Sequence, residues 1–359
     1  MRAGRIPGRR TASLLILLAA AALVLLAGIP AWAQPQSALP RVRLVATGGT
    51  IANRSGTRLS AGELVRLSPQ IERYARLEVE TFANVSSGQL TLDQWLSLAR
   101  RVNDLLRDDA DCAGLVVTSG TDTLEELAYF LHLTVRSEKP VVVVGAMRPP
   151  DSPTYDGAAN LTAAVRVAAA PEARDRGTLV VMNDEIHAAR DVSKTDALRL
   201  QAFQSRSTGP LGVVDGDRVA FTRKLEKRGG AQSEFDVDAI PSIPRVDILW
   251  TYQGASGDLI RAAVDNGATG LILATAAGGT SGTQLDGVRY ALGKRVTIVT
   301  ATRTGAGRVA PTGESGRVTA VPGTLAADDL TPIKARILLM LGLTRTTDAR
   351  ELQRLFRDY

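Results

Sequence analysis

Several stretches of the chain are apolar at consecutive positions rather than alternate ones, and each ends among Gly, Ser or Thr. They are RVRLVATGG (41–49), AGLVVTSG (113–120), PVVVVGAM (140–147) and TLVVMND (178–184), followed after a charged interval by RVDILWTYQG (245–254), GLILATAAGG (270–279) and RVTIVTATR (295–303). An unbroken apolar run suits a strand covered on both faces, which is the condition of a parallel sheet. RLEVETFANV (76–85) predicts a further strand. TLDQWLSLARRVNDLL (91–106), DTLEELAYFLHLTVRS (122–137) and TPIKARILLMLGL (331–343) carry helical patterns. Strands alternating with helices predict a doubly wound, mostly parallel α/β architecture. The segment RKLEKRGGAQSEFDVDAIPSIP (223–244) breaks the rhythm with clustered charge, adjacent glycines and two prolines. It reads as a linker between a larger N-terminal domain at 34–222 and a smaller C-terminal α/β domain at 245–359.

The first 33 residues follow another pattern. Arg2, Arg5, Arg9 and Arg10 precede an uncharged apolar stretch from Leu14 to Ile29, then Pro30 and Ala31-Trp32-Ala33. Basic region, apolar core and small-x-small site are the three parts of a secretory signal, with cleavage expected after Ala33 and a periplasmic or secreted mature protein. A permanent membrane anchor needs ~20 apolar residues without a cleavage site. No cysteine lies near the cleavage point to take a lipid anchor, and Arg9-Arg10 hints at twin-arginine export. Removing four arginines lowers the net charge from +6 to +2 (6 − 4), so the mature chain has no charge excess pointing to nucleic acid or a membrane surface.

With 359 residues, 22% of them charged and 45% hydrophobic, the chain is of a size and balance to bury sizeable cores. Cys112 is the only cysteine, so no intramolecular disulfide can form, and its place at the mouth of an apolar strand predicts a buried small hydrophobe.

Open α/β sheets bind ligands beyond the carboxyl ends of their strands. Those ends are Thr47-Gly48-Gly49-Thr50, Thr118-Ser119-Gly120-Thr121-Asp122-Thr123 and Gly145-Ala146-Met147-Arg148. Thr123 with Glu126 has the spacing of a capping box and is expected to be structural. Thr121 and Asp122 stand one step earlier, where a helix N-terminus aims free N–H groups at a ligand. His132 falls inside a predicted helix, and His187 has no obvious nucleophile in sequence. Without a G-x-S-x-G elbow, a Ser-His-Asp triad is disfavoured. Ligand-spaced His and Cys, a phosphate loop and a dinucleotide fingerprint are all missing from the sequence, so no metal or organic cofactor is expected. A hydrolase built from this inventory needs a lysine to activate its nucleophile, and ARDVSKTDALRL (189–200) offers Lys194. Threonine hydroxyls, a carboxylate, a lysine and backbone N–H groups suit acyl transfer from a small polar substrate.

ATGGTIA (46–52), TSGTDTLEE (118–126), VVVVGAMRP (141–149) and RDVSKT (190–195), in this order and with GPLGVVDG (209–216) following, closely resemble the bacterial L-asparaginase family, specifically its exported, type II-like members. The resemblance runs from about Val42 to Tyr359. It implies hydrolysis of L-asparagine to L-aspartate and ammonia, often with some glutaminase activity, in a homotetramer whose dimers share active sites. It also implies residue roles. Thr47 resembles the nucleophile that attacks the side-chain amide carbon. Thr121, Asp122 and Lys194 resemble a second catalytic cluster, in which Lys194 eases deprotonation of Thr121 and Asp122 binds the substrate α-amino group. Ser87 matches the serine that meets the α-carboxylate, and Ala146 a position whose main chain meets the amide.

The sequence departs from the family pattern in three places. The loop NRSGTRLSAGE (53–63) lacks the usual tyrosine, and Tyr74 lies too far along to replace it. Gly88 stands where a substrate-binding glutamine is expected, with Gln89 one residue on. Gly254, followed by Ser256, stands where asparagine is common, and Glu314 is the acid expected to reach a neighbouring site. Two other readings stay open: an enzyme that prefers or also uses L-glutamine, and a periplasmic amino-acid-binding protein whose domains bracket a ligand. A binder has no need of a lysine beside two hydroxyls.

Overall fold

The computed structural model describes residues 38–313 and 320–359; the leader assigned to residues 1–33 and Glu314 lie outside the described residues. The first half of the chain runs β1 (Arg41–Gly48), a two-residue hairpin of β2 (Asn53–Arg54) and β3 (Thr57–Arg58), α1 (Ala61–Arg66), β4 (Arg76–Val85), α2 (Leu92–Asp108), β5 (Cys112–Thr118), α3 (Leu124–Thr134), β6 (Val141–Val144), α4 (Gly157–Ala169), β7 (Thr178–Met182), β8 (Glu185–Ala188), β9 (Ser193–Lys194), β10 (Phe203–Gln204), β11 (Gly212–Val214) and β12 (Val219–Phe221). Eight of these strands form one sheet in the order β12-β11-β8-β7-β6-β5-β1-β4. The strands from β4 to β7 are parallel, as the unbroken apolar runs predict, and Leu115, Val116 and Val117 of β5 have no exposed surface. The antiparallel edge of β8, β11 and β12 was not legible in the sequence.

The second half runs β13 (Val246–Trp250), α5 (Asp258–Asp265), β14 (Gly270–Thr275), α6 (Gly282–Gly293), β15 (Thr297–Thr302), β16 (Leu325–Ala326), α7 (Pro332–Leu343) and α8 (Ala349–Asp358). Its four strands form a second, wholly parallel sheet in sequence order. The architecture is the expected one: a larger, mostly parallel α/β sheet unit followed by a smaller α/β one. Helix α7 is buried on every side, with Ile337 to Leu341 inaccessible, and packs against both α3 and the second sheet. One apolar core therefore runs from the first sheet through α7 into the second. The segment between the sheets is not a loose tether. Phe235, Val237 and Ile240 are buried, and the Arg100 guanidinium donates to the carbonyls of Val237 and Ile240, the latter at 2.6 Å.

Cys112 is buried as expected, and burial pushes its thiol pKa up. One local expectation is corrected. Thr123 does precede α3, but at φ −123° and ψ 16° it is not extended, and its side chain makes no cap bond. Its expected capping-box partner, Glu126, lies instead 3.7 Å from the Arg336 guanidinium of α7. Tertiary pairing has overridden the local motif. Among the described residues no helix is long and apolar enough to cross a membrane.

Candidate active site

Strands β1, β5 and β6 are hydrogen-bonded neighbours whose carboxyl ends lie level, with Ala46 opposite Thr118 and Thr118 opposite Val144. The turns that follow are therefore side by side. Gly49 has φ +87°, and a Cβ there would stand 2.2 Å from the Gly120 nitrogen. A Cβ on Gly120 would in turn stand 2.8 Å from Ser87 Oγ. Three turns, after β1, β4 and β5, thus touch through two glycines, and no other residue permits that approach.

Thr47 is 1% exposed; its Oγ1 donates to the Thr118 carbonyl at 2.7 Å, and its N–H donates to Thr118 Oγ1 at 3.2 Å. Thr121 is buried, and Lys194 Nζ donates to its Oγ1 at 3.0 Å and to Asp122 Oδ1 at 2.9 Å. The Asp122 side chain is 84% exposed and that of Lys194 18%. A pair so open to water contributes little to stability, so its importance is geometric. The structure brings Thr121, Asp122 and Lys194 into direct contact and sets Thr47 and Ser87 on the adjoining turns.

Lys194 reaches this place on the β9–β10 ribbon, where it pairs with Phe203, while its backbone N–H donates to Glu125 Oε1 at 3.1 Å. Glu125 is buried at the start of α3 and was not singled out in the sequence. A cavity of about 330 Å³ adjoins Lys194 and Glu125 on the side of β13 and α7, with Arg206, Trp250 and Arg303 in its wall. It does not include Thr47, Ser87, Thr121 or Asp122, so the threonine cluster lies outside it.

The turn after β6 is held by residues that sequence reasoning also missed. Asp156 accepts from the N–H groups of Met147 and Arg148, at 3.0 and 2.9 Å. Asn160 Nδ2 donates to the Gly145 carbonyl at 3.1 Å and to Asp156 at 3.0 Å. Ala146 is fully buried within that frame.

Gly88 and Gln89 are exposed, and Gln89 Oε1 accepts from Ser86 N–H at 3.3 Å, closing its own short turn. Nothing lies within 4 Å of a Cβ built on Gly88. Gly254 is exposed at φ +77°, and Ser256 Oγ accepts from Asp258 N–H at 3.1 Å. Beyond the Thr47 turn, Tyr155 Oη donates to the Ile51 carbonyl at 2.9 Å, and Ser55 bonds Asp151. Burial raises the Tyr155 phenol pKa above its ordinary value, which keeps it a donor. Tyr74 is engaged elsewhere, under the Arg166 guanidinium.

His187 does have a hydroxyl beside it, contrary to the sequence reading: its Nδ1 lies 3.0 Å from Ser205 Oγ, with Glu185 Oε2 3.3 Å from Nε2. Both Ser205 and His187 are buried, so the arrangement is a closed strut rather than a triad open to substrate. Burial pushes the pKa of His187, and separately that of His132, down to about 4.

Hydroxyls set beside a lysine at the carboxyl edge of a parallel sheet are the parts from which a nucleophilic α/β hydrolase can be built. Residues 41–227 match the family model "Asparaginase, N-terminal", and residues 245–356 match "Glutaminase/Asparaginase C-terminal domain". The chain belongs to the asparaginase family and is an amidohydrolase. It is 41% identical over 332 residues to the L-asparaginase 2 of Bacillus subtilis, covering 89% of this chain and 87% of that one. It is 37% identical to the glutaminase-asparaginase of Pseudomonas fluorescens biotype A, over 95% of this chain and 97% of that one. Among solved structures, the probable cytoplasmic L-asparaginase of Campylobacter jejuni superimposes with a TM-score of 0.83 at 38% identity, over 89% of this chain and all of that one.

Proposed function

We propose that this protein is an exported L-asparaginase that converts L-asparagine to L-aspartate and ammonia with Thr47 as nucleophile. The observation that carries the reading is Lys194 Nζ, held 3.0 Å from Thr121 Oγ1 and 2.9 Å from Asp122 Oδ1 beside the Thr47 turn. A threonine hydroxyl has no useful ionised fraction near neutral pH. Lys194 in its neutral form takes the Thr121 Oγ1 proton as Thr121 takes that of Thr47, and the ammonium so formed returns a proton through Thr121 to the leaving nitrogen. The carbonyl of Thr118, to which the Thr47 hydroxyl donates, is too weak a base to take its proton. Thr47 Oγ1 adds to the amide carbon, the C–N bond breaks as a proton reaches nitrogen, and ammonia leaves. Water then hydrolyses the ester to aspartate and restores the threonine. Ser87 binds the substrate α-carboxylate, the exposed Asp122 carboxylate its α-amino group, and the turn at Ala146 its side-chain amide, with Gly88 and Gln89 at the rim.

Export rests on the residue pattern of positions 1–33, since the Campylobacter protein that this chain resembles is a probable cytoplasmic L-asparaginase. The domains follow as 34–222, a linker at 223–244, and 245–359. A homotetramer with shared sites is supported by apolar surface at the second sheet: Trp250, Tyr252 and Leu259 are each more than half exposed. Glu314 is then the acid offered to a neighbouring subunit.

A second reading, use of L-glutamine, is favoured by the likeness to the glutaminase-asparaginase of Pseudomonas fluorescens. Ammonia release by the purified protein, measured side by side on the two amides, tests both. The expected result is turnover of asparagine faster than glutamine, lost by ~10³-fold in Thr47→Ala. Stoichiometric asparagine binding without ammonia release would sink the enzyme reading and leave the binding protein.

A further inference from the structure

We propose that Lys334 is a positioning residue for the reaction: an ammonium carried by α7 that fixes the turn on which Lys194 is presented. The inference rests on the reading of Lys194 as the active-site base. Lys334 is 1% exposed, and its Nζ donates to the carbonyls of Ala189 at 2.8 Å, Arg190 at 2.7 Å and Val192. An ammonium has three donors, and here all three go to one turn. Among the described residues its hydrogen bonds go to these carbonyls and to no carboxylate. The charged and titratable groups around it are Glu125, Tyr129 and His132 of α3, Arg190 and Asp191 of the turn, His187 of β8, and Asp329 before α7.

Burying an ammonium without an anionic contact is unfavourable, and burial pushes the Lys334 pKa down to about 8. An apolar side chain would pack in this core without that penalty. What the lysine supplies is satisfaction of three inward-facing carbonyls, which would otherwise be buried without donors. Those carbonyls belong to the link between β8 and β9. Lys194 follows Val192 by two residues, and its own N–H is fixed on Glu125. The link is thus held on both sides of a very short span, by Lys334 from α7 and by Glu125 from α3. Arg190 in the same turn is occupied separately, with Asp329 and the Tyr359 carbonyl. Lys194 Nζ must meet two acceptors at once, so slack in this turn misplaces it, and a misplacement of ~1 Å costs ~10²-fold in rate.

Ionisation gives the arrangement a distinctive signature. Deprotonation leaves two donors for three carbonyls, so positioning weakens as pH rises past about 8. Stability moves the other way. The folded pKa lies below the ordinary value of 10.5, so between about 8 and 10.5 the unfolded chain binds more protons at this group, and its contribution to stability rises with pH.

The test compares kcat, KM and Tm for the full protein, Lys334→Met, Lys194→Met and the double variant, on L-asparagine. Lys334→Met is expected to fold, to lose kcat by ~10-fold or more with KM changed less than ~3-fold, and to lose the decline in kcat above pH ~8. In the Lys194→Met background the same substitution should cost nothing further. Should Lys334→Met not fold, Lys334→Gln, which keeps two donors, is read in the same way. A folded Lys334 variant with the original kcat and alkaline limb overturns the proposal, as does an equal loss in the Lys194→Met background. Full kcat in Lys194→Met overturns the reading of Lys194 instead, whatever Lys334 does.

Discussion

Both sheets end their parallel strands in the same vocabulary of threonine and glycine, yet the proposed catalytic cluster lies on the first alone. In the second sheet, Thr275 Oγ1 accepts from Gly278 N–H at 2.8 Å, and Thr302 Oγ1 donates to the Ala276 carbonyl at 3.0 Å. Thr275 is consumed by its own turn and Thr302 by the turn of the neighbouring strand. Thr47 is in a similar local state, with its hydroxyl donating to the Thr118 carbonyl. What separates the first sheet is a lysine delivered from outside the strand ends, Lys194 on a ribbon, bonded to Thr121 across 73 positions of sequence. Hydroxyl and glycine at a strand end are thus an ordinary solution to a turn; the lysine brought to meet them is what sets the first sheet's turn apart.

The largest expected effect breaks this comparison most directly. Thr121→Val in the first sheet should lower kcat by ~10²–10³-fold, whereas Thr302→Val in the second should stay within ~2-fold. Equal losses in the two variants, measured as ammonia release, would remove the distinction. Next comes backbone contact. Gly49→Ala meets both φ +87° and the Gly120 nitrogen at 2.2 Å, while nothing lies within 4 Å of a Cβ on Gly279. Denaturant titration should show a loss of ~2 kcal/mol or more for the first and less than ~0.5 kcal/mol for the second.

The smallest effect is electrostatic and sharpens the contrast by location. Both histidines of the chain, His132 and His187, lie in the first region, with pKa values near 4 against an ordinary 6.5. The unfolded chain binds more protons between those values, so stability falls as pH drops from 6.5 towards 4, by at most ~3 kcal/mol for each group. In His132→Gln the drop in Tm between pH 7 and pH 4.5 should be shallower than in the unaltered protein. An unchanged slope would mean that this imidazole is not buried neutral.

Legibility in the sequence followed the range of the interaction concerned. The parallel strands were readable because coverage on both faces leaves an unbroken apolar run, and the strand ends then exposed Thr47, Thr121 and Asp122. Helix α4 went unnamed because GAANLTAAVRVAA is small and apolar almost all round, with no polar face to set its period. Helix α8 went unnamed although Leu352, Leu355 and Phe356 mark its buried face. The capping box at Thr123 failed because Glu126 has turned to Arg336, a partner no local pattern contains. Glu125, Asp156, Asn160 and the His187–Ser205 strut acquire their roles only when distant segments meet. Lys194 was found by elimination among candidate bases and by family resemblance; nothing within its own stretch shows that it meets Thr121.

The bonds that assemble this region are long in sequence. Thr47 meets Thr118 across 71 positions, and Lys334 meets the 189–192 turn across as many as 145. Contacts of that span reward the chain only after the entropy of closing large loops has been met, and proteins dominated by them fold slowly. The topology that brings Lys194 to the Thr121 turn beside Thr47 therefore also sets the tempo of folding, and places the candidate site among the last things the chain can complete.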